Sequence, residues 1–139
     1  MSKTKLTNSP SPEQAEEFDD FVQFWQEVLN LNDWRIERGS KPAKAAMASV
    51  EINAPARLAT YRLGDFATTN INPTTLSQTA LHEVLHVFLH DLITTAQDRS
   101  TTEEQLEAAE HRVVNVLEKI LFVELEQEDA SEGNGSAVH

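Results

Sequence analysis

Apolar positions fall into two rhythms along the chain. From Glu13 to Leu31, Phe18, Phe21, Val22, Trp25, Val28 and Leu29 recur at helical spacing, which predicts a first amphipathic helix. Ser11 suits its N-cap and Pro12 its first position, with Glu13, Glu16 and Glu17 at the positive end of the helix dipole. The period then drops to two. Trp34-Arg35-Ile36-Glu37-Arg38 alternates and stops at Gly39, predicting a strand. Met47–Ile52 and Leu58–Leu63 read as two more strands, with Pro42 and Pro55 in the connections.

Helical spacing returns after Asn72-Pro73-Thr74-Thr75, where Thr75 and Gln78 have the spacing of a capping box. Leu76, Ala80, Val84, Val87, Phe88 and Leu92 carry this second helix to about Thr94. A third helix is expected from Glu103 to about Glu124, with Leu106, Ala109, Val113, Leu117 and Ile120 as its apolar stripe. The order helix, three strands, helix, helix predicts an α+β fold: three helices and a small antiparallel or mixed three-stranded sheet. One domain is expected over residues 13–124, between a loose arm (1–12) and a frayed acidic tail (125–139).

Composition narrows the chemistry. With no cysteine among 139 residues, thiolate catalysis, disulfides and Cys-ligated metals are excluded. No apolar run reaches the length of a membrane span, and the polar start lacks the apolar core of a signal peptide, so a cytoplasmic protein is expected. The formal charge is −12, of which residues 13–123 carry −9 once Lys3, Lys5 and the five acids after Val123 are set aside. Such a body repels nucleic-acid phosphates and offers no basic stripe, so no direct nucleic-acid contact is expected. The acidity serves solubility, or it attracts basic partners in the manner of a DNA mimic.

The second helix contains His82-Glu83-Val84-Leu85-His86, a complete H-E-x-x-H. Residues at i and i+4 share a helix face, so two imidazoles can bind one Zn²⁺ at about 2.0–2.1 Å each. The intervening glutamate is the residue type that takes a proton from a metal-activated water and passes it to the leaving amine. At 100° per residue, Leu76, Ala80, Val84, Val87 and Phe88 mark the core face, and His82, Glu83 and His86 are expected on the opposite side. An ordinary solvated face is the competing reading.

HEVLHVFLH after a strand-rich region resembles the zincin-like metallopeptidases, above all their small single-domain members, many of them phage-borne. LNDWRIE, ATYRL and EEQLEAAEHRVVNVLEKI are similar to the same group. The resemblance implies a zinc-dependent hydrolase acting on a peptide or protein. The chain departs from the metzincin pattern, having neither an H-x-x-G-x-x-H continuation nor a glycine after His86 to break the helix.

Catalytic zinc usually has three protein ligands. His90 would lie about 12 Å along the axis from His82, too far to share the ion, and suits a rim or an exposed position. A gluzincin-like site takes a glutamate from a following helix, where Glu103, Glu104, Glu107 and Glu110 are available. Glu110 shares a face with Leu106, Val113 and Leu117 and is expected to point inward, where a metal would offset its burial; Glu107 is second. Tyr61, His90, His111 and Arg112 are candidates to stabilise an oxyanion. The last strand before the motif, Leu58–Leu63, is expected to be the edge that receives an extended substrate. Two other classes compete: a non-catalytic acidic interaction protein with a vestigial metal site, and a structural zinc domain. The second needs a fourth ligand and has no use for Glu83.

Overall fold

The computed structural model describes residues 7–137, with side chains described through Phe122. The chain forms two compact units, Met1–Phe88 and Leu89–His139. Three helices and one three-stranded mixed sheet give the α+β class expected from the pattern.

In the first unit, α1 (Pro12–Val28) starts at a capping box. The Gln14 N–H donates to Ser11 Oγ at 3.1 Å, and the Ser11 N–H donates to Gln14 Oε1 at 2.8 Å. The helix ends where Asn30 takes the left-handed conformation (φ 58°) that asparagine tolerates. Gln26 Nε2 then donates to the carbonyls of Leu31 and Trp34 at 2.9 and 2.7 Å, tying the turn to the helix it follows. β1 (Arg35–Arg38), β2 (Ala48–Asn53) and β3 (Leu58–Leu63) follow. β3 lies in the middle, parallel to β1 and antiparallel to β2.

That order overturns the expectation that Leu58–Leu63 is a substrate-receiving edge. Both of its sides are occupied, and the free edges belong to β1 and β2. The side-chain alternation holds: Ala59 and Tyr61 are buried and Thr60 and Arg62 half-buried. Phe18 on α1 meets Tyr61 with ring centroids 5.5 Å apart. Trp25 Nε1 donates to the Ser77 carbonyl and hydroxyl, both at 3.1 Å, fastening α1 to α2 (Pro73–Gln97). Phe18, Val22, Phe66, Leu76, Val84 and Val87 are fully buried, each worth about 1.5–3 kcal/mol of transfer free energy.

α2 is capped by Asn72, not by Thr75 with Gln78. Asn72 Oδ1 accepts from the Thr75 N–H and Thr75 Oγ1 from the Asn72 N–H, both at 3.0 Å. Pro73 at the first position brings the start forward, because its fixed φ suits a first turn. Of the arm, residues 1–6 lie outside the described residues, while Asn8 is tied down. Its N–H donates to Asp65, and its side chain donates to the carbonyls of Ala67 and Thr69.

The second unit holds the end of α2 and α3 (Glu103–Ala137). Thr102 and Gln105 form a capping box at 2.9 and 3.1 Å. The α3 backbone continues beyond Glu124, through a run with no proline and no glycine before Gly133. Its half-buried stripe is Ala109, Val113, Val116 and Ile120, whereas Leu106 and Leu117 are exposed. The pattern Leu106–Val113–Leu117 therefore places the covered face a fraction of a turn from where it lies. Among the described residues, no helix is long and apolar enough to cross a membrane.

Candidate metal centre and adjoining cavity

α2 positions the motif. Its buried residues Leu76, Ala80, Val84 and Val87 fix the rotation of the helix, and that phase leaves His82 and His86 exposed one turn apart. The two imidazoles stand edge to face, centroids 4.9 Å apart and planes at 81°. They therefore offer two nitrogen donors from one helix face, the donor type that zinc prefers.

Glu83 departs from the expected exposed position. It is 6% exposed, the one charged residue in the core among the described residues. Its burial follows from its place next to Val84 on the inward flank of the helix. Desolvation raises the Glu83 carboxyl above its ordinary range, against the opposing pull of His82 and His86. A carboxyl held this way has its proton affinity moved toward neutral pH, as a general base requires.

A cavity of about 400 Å³ opens beside these residues, lined by Ala46, Met47, Ala48, Gln78, Thr79, His82 and Glu83. One wall is α2 and the other is the start of β2. The Gly64 N–H donates to the Met47 carbonyl at 2.8 Å, and Ala48 stands opposite Leu63. In that antiparallel register Ser49, Glu51 and Asn53 carry the ladder bonds to β3. The backbone groups of Ala48, Val50 and Ile52 consequently face the free edge. The edge beside the motif helix is thus β2.

Tyr61 is committed elsewhere. Its hydroxyl donates to Asp19 Oδ1 at 2.5 Å, and the same oxygen pairs with Arg38 Nε at 3.2 Å. Burial and the bond to Asp19 push the Tyr61 hydroxyl pKa well up. The residue joins α1 to the sheet, and it is removed from the candidates for oxyanion stabilisation. His90, Glu107, Glu110, His111 and Arg112 belong to the second unit. Arg112 lines a cavity of about 490 Å³ there, with Asp91, Asp98 and Gln105. Glu110 is exposed, not turned inward, so the argument from burial does not apply to it. Among the described residues, no cluster of three or more His, Asp or Glu side chains is gathered as a metal site.

Sequence reasoning missed Gln78, the Ala46–Ala48 wall and Asp19. Gln78 was within reach, since it lies four residues before His82 on the same face. No protein-family model, curated protein or solved structure matches this chain.

Proposed function

We propose that this chain is a zinc-dependent peptidase in which His82 and His86 hold the metal and Glu83 is the general base. The observation that carries the reading is the joint placement of two paired imidazoles and a buried carboxyl on adjoining positions of α2, with His82 and Glu83 lining one cavity. The donor set fits zinc, with two nitrogen ligands at i and i+4. When bound, zinc supplies Lewis acidity that polarises the scissile carbonyl and acidifies water.

The chain's own residues do the rest. Glu83 accepts the proton of the attacking water and delivers it to the leaving amine. The free backbone groups of Ala48 and Val50 take the peptide as an added strand, holding its scissile bond along α2.

The test is metal content and hydrolysis on the purified protein. Wild type is expected to hold one zinc per chain, and His82→Ala and His86→Ala to hold little. Glu83→Gln is expected to keep zinc and fold while losing hydrolysis of a casein or random-peptide substrate. Equal activity in wild type and Glu83→Gln overturns the peptidase reading. Zinc-bound protein with no hydrolysis leaves the acidic interaction protein as the better reading.

A further inference from the structure

The cavity beside the motif has two chemically distinct walls. Ala46 and Ala48 are small and Met47 is apolar, so the β2 side supplies room and no hydrogen bond from a side chain. On the α2 side, Thr79 Oγ1 already donates to the Thr75 carbonyl at 2.7 Å. His82 and Glu83 belong to the proposed chemistry. Gln78 remains. Gln78 is exposed to solvent at the cavity, and its side-chain amide, with two donors and an acceptor, has no protein hydrogen-bond partner among the described residues.

Its position is fixed by the helix. Gln78 sits one turn before His82, about 6 Å along the axis. A peptide lying along β2 sends alternate side chains toward α2, and one of them enters this cavity. That side chain covers the Gln78 amide and strips it of water. An aliphatic occupant leaves the amide unpaired, and a charged occupant meets no opposite charge on Gln78. An uncharged hydrogen-bonding occupant satisfies it.

We propose that Gln78 is a specificity residue that selects, next to the scissile bond, a substrate residue with an uncharged hydrogen-bonding side chain: Gln, Asn, Ser or Thr. This rests on the peptidase reading for its location and is tested by binding, apart from turnover.

The probe is a blocked random octapeptide library presented to the zinc-loaded Glu83→Gln protein, which retains the metal ligands. Retained peptides are sequenced by mass spectrometry. One position is expected to be enriched in Gln, Asn, Ser and Thr over Leu by roughly 10- to 100-fold. Adding Gln78→Leu is expected to turn that position toward aliphatic residues, and adding Gln78→Glu toward Lys and Arg. Zinc content and far-ultraviolet circular dichroism should be unchanged in both. A library retained without preference, or a preference that survives both substitutions, overturns the proposal, as does the absence of retained peptides. Redirected retention supports it even where wild type cleaves none of the library, which separates it from failure of the peptidase reading.

Discussion

A Cβ placed on Gly64 would lie 2.1 Å from the carbonyl oxygen of Ala46, closer than any real contact of that kind. The glycine does not serve an unusual φ. It lets the 43–47 segment lie directly on the end of β3, where the Ala43 N–H donates to the Leu63 carbonyl at 3.0 Å. This close approach sets the β2 wall of the cavity, because Ala46, Met47 and Ala48 follow from it.

Gly64→Ala is therefore expected to push that segment away and cost about 1–3 kcal/mol of stability, the usual range for overpacking. Chemical denaturation measures the loss, and peptide affinity should fall with it. Zinc content should change little, since α2 carries both histidines. An unchanged midpoint and affinity would show that the segment moves without consequence.

The free edge of β2 makes a second prediction. Ala48→Pro removes an N–H that faces outward, and edge positions tolerate proline. Folding and zinc binding should survive while affinity for an extended peptide drops about tenfold, roughly one hydrogen bond. A proline at Ser49, whose N–H belongs to the ladder with β3, should instead unfold the sheet. Equal peptide affinity in wild type and Ala48→Pro would take β2 out of substrate binding.

Glu83 links the proposed chemistry to stability. Burial holds its proton in the folded chain to a higher pH than in the unfolded chain, where the value is near 4.5. Its contribution is full below that pH and is lost as pH rises through the raised value, leaving a buried charge. Metal-free Glu83→Gln should then melt above metal-free wild type at pH 7, with the gap closing below pH 4.5. Thermal melts in chelator across this range decide it. A gap that persists into acid would assign the difference to packing.

Tyr61→Phe is expected to cost roughly 1–3 kcal/mol at pH 7, since Asp19 loses a buried donor and keeps only Arg38. The raised Tyr61 value means that the wild-type contribution is whole below about pH 10 and declines above it. The difference between the two proteins should therefore narrow in alkali. Hydrolysis per folded, zinc-loaded molecule should match wild type; a fall in kcat alone would return Tyr61 to the reaction.

Local periodicity by itself determined the three helices, the bounds of Leu58–Leu63 within the sheet, the Ser11 cap and the i, i+4 histidine pair. Each depends on neighbours within one or two turns, and α2 carries His82 and His86 on one face whatever surrounds it. Strand order was not legible in the same way. Pairing β1 with β3 across the intervening β2 joins residues more than 20 apart, as Arg35 with Leu58, and no short-range pattern encodes that choice. Only that pairing made β3 central and β2 the edge. The same holds for Asp19 with Tyr61, for Gly64 under Ala46, and for Glu83, whose burial is set by what packs around α2. The phase of α3 is a milder case. Apolar residues at 106, 109, 113, 116, 117 and 120 allow two overlapping stripes. The tertiary structure covers the one through Val116, because packing responds to which flank meets a neighbour and not to hydrophobicity alone.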